Sequence, residues 1–188
     1  RAGVLIPLFS IRTPESWGLG EIPDLLPFAR WARGAGFSLV QMLPVNQPSG
    51  GQDSPYAALT AFALDPVYLA LDKCEDFLAA GGAVALSKED QDALARVRAS
   101  ATLRWGEVRT LKAHALERAF QSFLEKEWQQ DSPRAKALRE FAQRESAWLG
   151  EFALFVALHE EHQDRSWQDW EPGLAEREPA AMAEAKRR

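Results

Sequence analysis

The sequence predicts a helix-rich α/β fold that opens with a βαβ unit, and three features carry that expectation. Two short apolar runs, Gly3 to Phe9 and Phe37 to Leu43, have the continuous character of strands covered on both faces in a parallel sheet. Between them Leu25, Leu26, Phe28, Ala29, Trp31 and Ala32 recur at helical spacing, and Gly34 and Gly36 supply stop signals. Beyond Val67 the strand-like runs give way to long stretches of Ala, Leu, Glu, Arg and Gln, which favour helix.

Each element has a local reason. Pro7 cannot donate to a ladder, so the first strand should weaken there. The span from one strand to the next, roughly 30 residues, suits a right-handed parallel crossover. Ser87 before Lys88-Glu89-Asp90, and Ser132 before Pro133, read as capped helix starts. Between them Val108, Leu111, Ala115, Ala119, Phe120, Phe123 and Leu124 form one apolar stripe, with Glu107, Arg109, Lys112, Arg118 and Glu125 mainly outside it. Trp148, Phe152, Phe155, Val156 and His159 form a second stripe, and Leu154 and Leu158 add apolar surface on another side. That predicts a core helix lying between layers. No fixed-period repeat is present, and the one biased tract is the alanine- and charge-rich tail after Glu176. Two parallel strands cannot close a sheet, and the first residue is Arg1 where Met is usual. The expectation is a trimmed or excised piece.

Composition narrows the function. With 46% hydrophobic and 26% charged residues, the 188-residue chain has ordinary globular make-up. A net charge of -5 provides no broad positive field, so nucleic acid is not an expected partner. Cys74 stands alone and forms no internal disulfide, and no signal peptide is evident, so a cytoplasmic location is expected. No apolar run approaches the ~18 residues of a membrane span.

Most motifs dissolve on inspection. The histidines of His159-Glu160-Glu161-His162 are three apart, whereas the zinc-protease helix places them four apart; two histidines near a helix carboxyl end is the simpler reading. Gly18-Leu19-Gly20 lacks the third glycine of a dinucleotide loop, and Gly34-Ala35-Gly36 ends a helix instead of opening one. Ser10, Ser16 and Ser54 sit in no nucleophile elbow, and nothing beside Cys74 activates a thiolate. No metal, no cofactor and no Ser or Cys nucleophile is expected. Trp31, Trp105 and Trp148 fall in helical patterns, where core packing is the common role.

One segment stands out. Asp53-Ser54-Pro55-Tyr56 follows the second strand-like run and the glycines Gly50-Gly51. In a parallel α/β fold ligands sit beyond the carboxyl ends of the strands. A carboxylate, a hydroxyl and a proline-braced tyrosine there can grip a polyol, with sugar the natural guess. The plainer alternative is a capped turn in which Asp53 and Ser54 satisfy backbone donors and Tyr56 packs over the strand end. Trp17, beside Gly18 and Gly20 in the loop after the first strand, is expected on the same side, lining a shared cleft.

Ser10 with Trp17-Gly18-Leu19-Gly20-Glu21, Gln41-Met42-Leu43-Pro44, the run from Asp53 to Pro66, Trp148 to Leu158, and Ser166-Trp167-Gln168-Asp169-Trp170 together resemble the amylomaltase family of 4-alpha-glucanotransferases. The resemblance implies a (β/α)8 barrel with helical insertions. Residues 1–66 would begin the barrel, and 67–188 would form a helical insertion subdomain and the approach to the next strand. It further implies transfer of an α-1,4-glucan segment to another glucan's free 4-hydroxyl by retaining double displacement. Such chemistry needs two carboxyl groups ~5 Å apart. By resemblance these sit on later strands, so no catalytic residue is expected in this chain, which should be inactive alone. Tyr56 would face the sugar beside the cleaved bond, with Asp53 and Ser54 contacting hydroxyls. The sequence departs from the family pattern at Trp17, where tyrosine is usual, at Asp65, and in the loop Val45 to Ser49. A noncatalytic glucan-binding module and a helical interaction domain are the alternatives.

Overall fold

The structure, a computed structural model, describes residues 1–49, 52 and 54–187. Strands β1 (Gly3–Leu5) and β2 (Leu39–Gln41) pair in parallel, with Gly3 opposite Leu39 and Leu5 opposite Gln41. Both are shorter than their apolar runs. The ladder continues to Ile6, whose N–H donates to the Gln41 carbonyl at 2.9 Å, and stops at Pro7, which has no N–H to give. A 3-10 turn at Leu8–Ser10 follows. The expected cover on both faces is not found. Leu5 is 59% and Leu39 61% exposed, and no third described strand flanks the pair.

A 3-10 turn, Ile22–Asp24, leads into helix α1 (Leu25–Gly34). The Asp24 carboxylate accepts from the Glu21 N–H at 2.8 Å and from Ser16 Oγ at 2.8 Å, tying the helix start to the preceding loop. At the other end Gly36 takes φ +89°, its N–H reaching the Arg33 carbonyl and that of Phe37 the Ala32 carbonyl. This paired closure needs a left-handed residue, so Gly36 is the stop signal. Trp31 lies on the outside of α1, 59% exposed, and is not the core residue its spacing suggested.

The helices α2 (Glu75–Ala79), α3 (Lys88–Ala99) and α4 (Trp105–Phe123) carry the rest of the first compact unit, residues 1–129. Ser87 caps α3 by accepting from the Asp90 N–H at 3.1 Å. Beyond Phe123 the chain runs on as a π-helical turn, Leu124–Trp128. The core draws Leu8, Ile11, Trp17 and Leu19 from the loop after β1, Val67, Leu71 and Phe77 from the middle of the chain, and Val97, Val108, Leu111 and Ala115 from α3 and α4. Residues on both sides of the 66/67 boundary thus share one core. Phe120, placed on the α4 stripe by its spacing, is exposed.

Inside that core lies an ion pair. Lys112 Nζ donates to Glu21 Oε1 at 2.6 Å and to the carbonyls of Val67 and Leu69 at 2.6 and 2.8 Å, filling all three of its donors. The two side chains are 2% and 6% exposed. Burial pushes the Glu21 carboxyl up and the Lys112 ammonium down, and each partner's charge opposes that shift in the other. Glycine is required nearby. A Cβ on Gly20 would stand 2.1 Å from the Leu8 carbonyl oxygen, and Gly18 sits at φ +85° against Val97. These glycines serve close packing, in keeping with the missing nucleotide fingerprint.

The second compact unit, residues 130–188, contains α5 (Pro133–Arg144), α6 (Leu149–Glu161), α7 (Pro172–Ala175) and α8 (Pro179–Ala185). Ser132 caps α5 through the Ala135 N–H at 3.1 Å. Helix α6 is not the sandwiched core helix expected. Leu158 is its buried residue, while Phe152, Leu154, Phe155 and Val156 are half-buried.

Replacing Lys112 by Met strands the Glu21 carboxylate and two buried carbonyls. The loss should be about 3–5 kcal/mol, the usual cost of removing one partner of a buried pair. Urea denaturation measures it, and Glu21→Gln added to that variant should recover part of the loss. A Lys112→Met chain as stable as the parent would show that the pair contributes nothing to the fold.

Candidate functional site

The segment from Val45 to Asp65 leaves β2 and returns as two antiparallel arms. Asn46 bridges Leu64 and Pro48 bridges Ala58. Gln47 N–H donates to the Ala63 carbonyl at 3.1 Å, Leu59 N–H to the Gln47 carbonyl at 2.9 Å, and Asp65 N–H to the Val45 carbonyl at 2.9 Å, which closes the base. Ser54-Pro55-Tyr56-Ala57 makes a β-turn near the far end, with Ala57 N–H reaching the Ser54 carbonyl at 3.1 Å and proline in the second position it favours. Ser54 Oγ accepts from the Tyr56 N–H at 3.4 Å, so the hydroxyl acts on its own turn, as the capped-turn alternative has it. Tyr56 is 73% exposed, its ring free of the strand end. Asp53, Gly50 and Gly51 lie outside the described residues.

The base of this loop is held firmly. Asp65 is buried; its carboxylate accepts from the Val67 N–H at 3.0 Å and takes both arms of the Arg109 guanidinium, at 3.1 and 2.8 Å. Arg109 in turn lies over the Trp105 ring, 5.5 Å from its centre, and Trp105 meets Phe9 edge-on at 5.2 Å. Tyr68, buried next to Asp65, has its phenol pushed up to about 12 by burial and by that carboxylate.

Trp17 is placed differently from its expected position on a cleft wall. Its ring is 1% exposed, packs edge-on against Phe77 at 5.6 Å and donates Nε1–H to Asp72 at 2.9 Å. A ring enclosed on all sides offers no face to a sugar. Trp17 is a core residue, and Tyr56 and Ser54 are not joined by it.

In the second unit the two histidines part company. His162 is enclosed, with Nδ1 2.7 Å from the Leu158 carbonyl, Nε2 2.8 Å from Glu171 Oε2, and its ring stacked on Trp170 at 4.9 Å. Both ring nitrogens face acceptors, so the imidazolium fits and its pKa is raised, first by Glu171 and then by the Leu158 carbonyl. His159 pairs separately with Asp164 at 2.9 Å. Among the described residues no three His, Cys, Asp or Glu side chains gather as metal ligands, and no helix is long and apolar enough to cross a membrane.

Known proteins show what this chain is similar to. A family-wide sequence profile described as 4-alpha-glucanotransferase matches residues 6–188. The chain belongs to the 4-alpha-glucanotransferase family. The 4-alpha-glucanotransferase of Thermus thermophilus is 34% identical over 92% of this chain and 32% of its own length. That of Synechocystis is 30% identical over 96% of this chain and 34% of its own. The chain therefore spans about one third of these curated relatives. The solved amylomaltase from Corynebacterium glutamicum superposes with a TM-score of 0.63 over 93% of this chain and 25% of that one; at 24% identity it speaks to the fold alone.

In this member of the 4-alpha-glucanotransferase family, Arg109 holds the returning end of the loop and Lys112 the stretch just after it. Arg109 and Lys112 were both set outside the α4 stripe. The missed signal was spacing: Lys112 lies four residues after Val108 and three before Ala115, on the stripe itself. A cation there has to find buried acceptors.

His162 gives a pH prediction. Its folded pKa lies above 6.5, so its contribution to stability is complete below that value and fades as pH rises through the folded one. Titration followed by the ring proton resonances should give a midpoint above 6.5, and Glu171→Gln should move it down. An unchanged midpoint in that variant would remove Glu171 as the cause.

Proposed function

We propose that this chain contributes glucan-binding surface to a 4-alpha-glucanotransferase of the amylomaltase type, with Tyr56 as the principal contact and Ser54 and Asp53 beside it. The substrate is an α-1,4-glucan or maltooligosaccharide, and the reaction is retaining transfer of a glucan segment to a free 4-hydroxyl. Family membership supports the chemistry, and one observation supports the site: Tyr56 stands 73% exposed near the end of a hydrogen-bonded loop on the carboxyl side of β2. An aromatic face held open on a hydrogen-bonded loop suits the apolar face of a glucose ring, while the phenol can exchange hydrogen bonds with its hydroxyls.

In this reading residues 1–66 begin a (β/α)8 barrel, 67–188 form a helical insertion, and the protein works in the cytoplasm without a cofactor. The uncovered apolar side chains Leu5, Leu39 and Trp31 suit a surface that further barrel elements cover. In this reading the acid pair of a retaining mechanism lies in the part of the relatives' length that this chain does not span. The 188 residues alone should therefore not disproportionate maltotriose.

Calorimetry with maltoheptaose tests the site. Tyr56→Ala should weaken binding by about tenfold, the loss of one aromatic face. Thermal stability should change by no more than ~0.5 kcal/mol, since the side chain is exposed. Equal affinity in parent and variant would remove Tyr56 from the glucan site.

A further inference from the structure

The geometry points to Arg109 as a positioning residue for the Tyr56 loop, setting from helix α4 the place where a glucan ring is met. This rests on the reading of Tyr56 given above. The loop is a double arm whose cross-links run from Ser49 and Ala57 near the turn down to Val45 and Asp65 at the base. Such an arm moves as one piece about its base, so the base decides where Tyr56 sits.

Beyond Asp65, Lys112 holds the Val67 and Leu69 carbonyls in the core; two attachments act on the loop's own residues. One is covalent: the outgoing arm leaves β2, a three-residue strand whose outer side chains are exposed and which gives little purchase. The other is Asp65, on the returning arm. Its carboxylate is 4% exposed and is gripped by both arms of the Arg109 guanidinium. Paired parallel N–H···O bonds fix direction as well as distance, which a single ammonium contact does not. Arg109 is itself oriented by the Trp105 ring beneath it, and Trp105 by Phe9. Asp65 also accepts from the Val67 N–H, so the same carboxylate turns the chain out of the loop and into the 3-10 turn Pro66–Tyr68. Nothing in this arrangement touches Tyr56. Its effect on a ligand would be carried through the loop.

The test is hydrogen exchange by NMR on the 188-residue chain, read at the Gln47, Leu59 and Asp65 amides of the loop and at the Leu111 and Ala115 amides of the core. Arg109→Lys keeps the charge and loses the fork, and it is the variant least exposed to misfolding; Arg109→Met removes both. In Arg109→Lys the loop amides should exchange about tenfold faster while the core amides keep their rates, as expected for local opening. Maltoheptaose affinity should fall alongside, and more in Arg109→Met. Parallel acceleration of loop and core would mean that Arg109 only stabilises the fold, and would overturn the proposal, as would unchanged loop rates. Selective loop acceleration with maltoheptaose affinity unchanged from the parent would uphold the anchoring by Arg109 and overturn its effect on the glucan contact.

Discussion

The first unit is organised around one ammonium group. Lys112 Nζ collects a carboxylate from the loop after β1 and two carbonyls from the stretch after Asp65, so three parts of the chain far apart in sequence meet at one atom. The side-chain hydroxyls and carboxylates of the loop before α1 extend the set: Glu21 takes the Trp17 N–H as well as Lys112, while its own N–H goes to Asp24. A buried pair is weak evidence for net stability, because desolvation consumes most of the attraction. What the geometry supplies is direction, each of the ammonium's three donors meeting its own acceptor. Apolar side chains pack in many arrangements, whereas three donors with three fixed acceptors leave one.

Much of the fold is written locally and could be read. The caps at Ser87 and Ser132 depend only on a hydroxyl and the next three residues. Gly36 closes α1 because the left-handed closing residue has to tolerate φ +89°. Pro7 marks the end of β1 for lack of a donor. What could not be read was which apolar faces find a partner. Trp17 lies in a glycine-bearing loop and Trp31 on a helical stripe, yet it is Trp17 that is enclosed, against Phe77, and Trp31 that faces out. The difference is tertiary: Trp17 packs on Phe77 of α2, whereas Trp31 has Phe28 of its own helix beside it and stays 59% exposed. The same holds for α6, whose apolar stripe is plain in sequence and half-covered in its unit.

The candidate site was legible as a turn and illegible as a supported structure. Ser54-Pro55-Tyr56 announces itself through proline and a small hydroxyl residue, and the turn forms as those residues dictate. Its support comes from Arg109, 44 residues beyond the aspartate it grips. Pairings at that separation leave no trace in local spacing. Lys112 differs in this respect, since its position on the α4 stripe announced burial even though its acceptors stayed hidden.

Arg109 and Lys112 lie three residues apart on α4, on adjoining faces of one helix. Their acceptors, Asp65, Val67 and Leu69, are alternate residues of a single short stretch. Helix and stretch are therefore clamped within a single helical turn by two cations of different character. The compact ammonium takes carbonyls in the interior, and the planar guanidinium takes a carboxylate at the edge, where a third of it remains exposed. The clamp locates the end of the Tyr56 loop relative to the helical core and leaves the two-strand sheet, short and open on its outer side chains, with little to bear. A loop tied in this way keeps its register on the helices whatever lies against the strands.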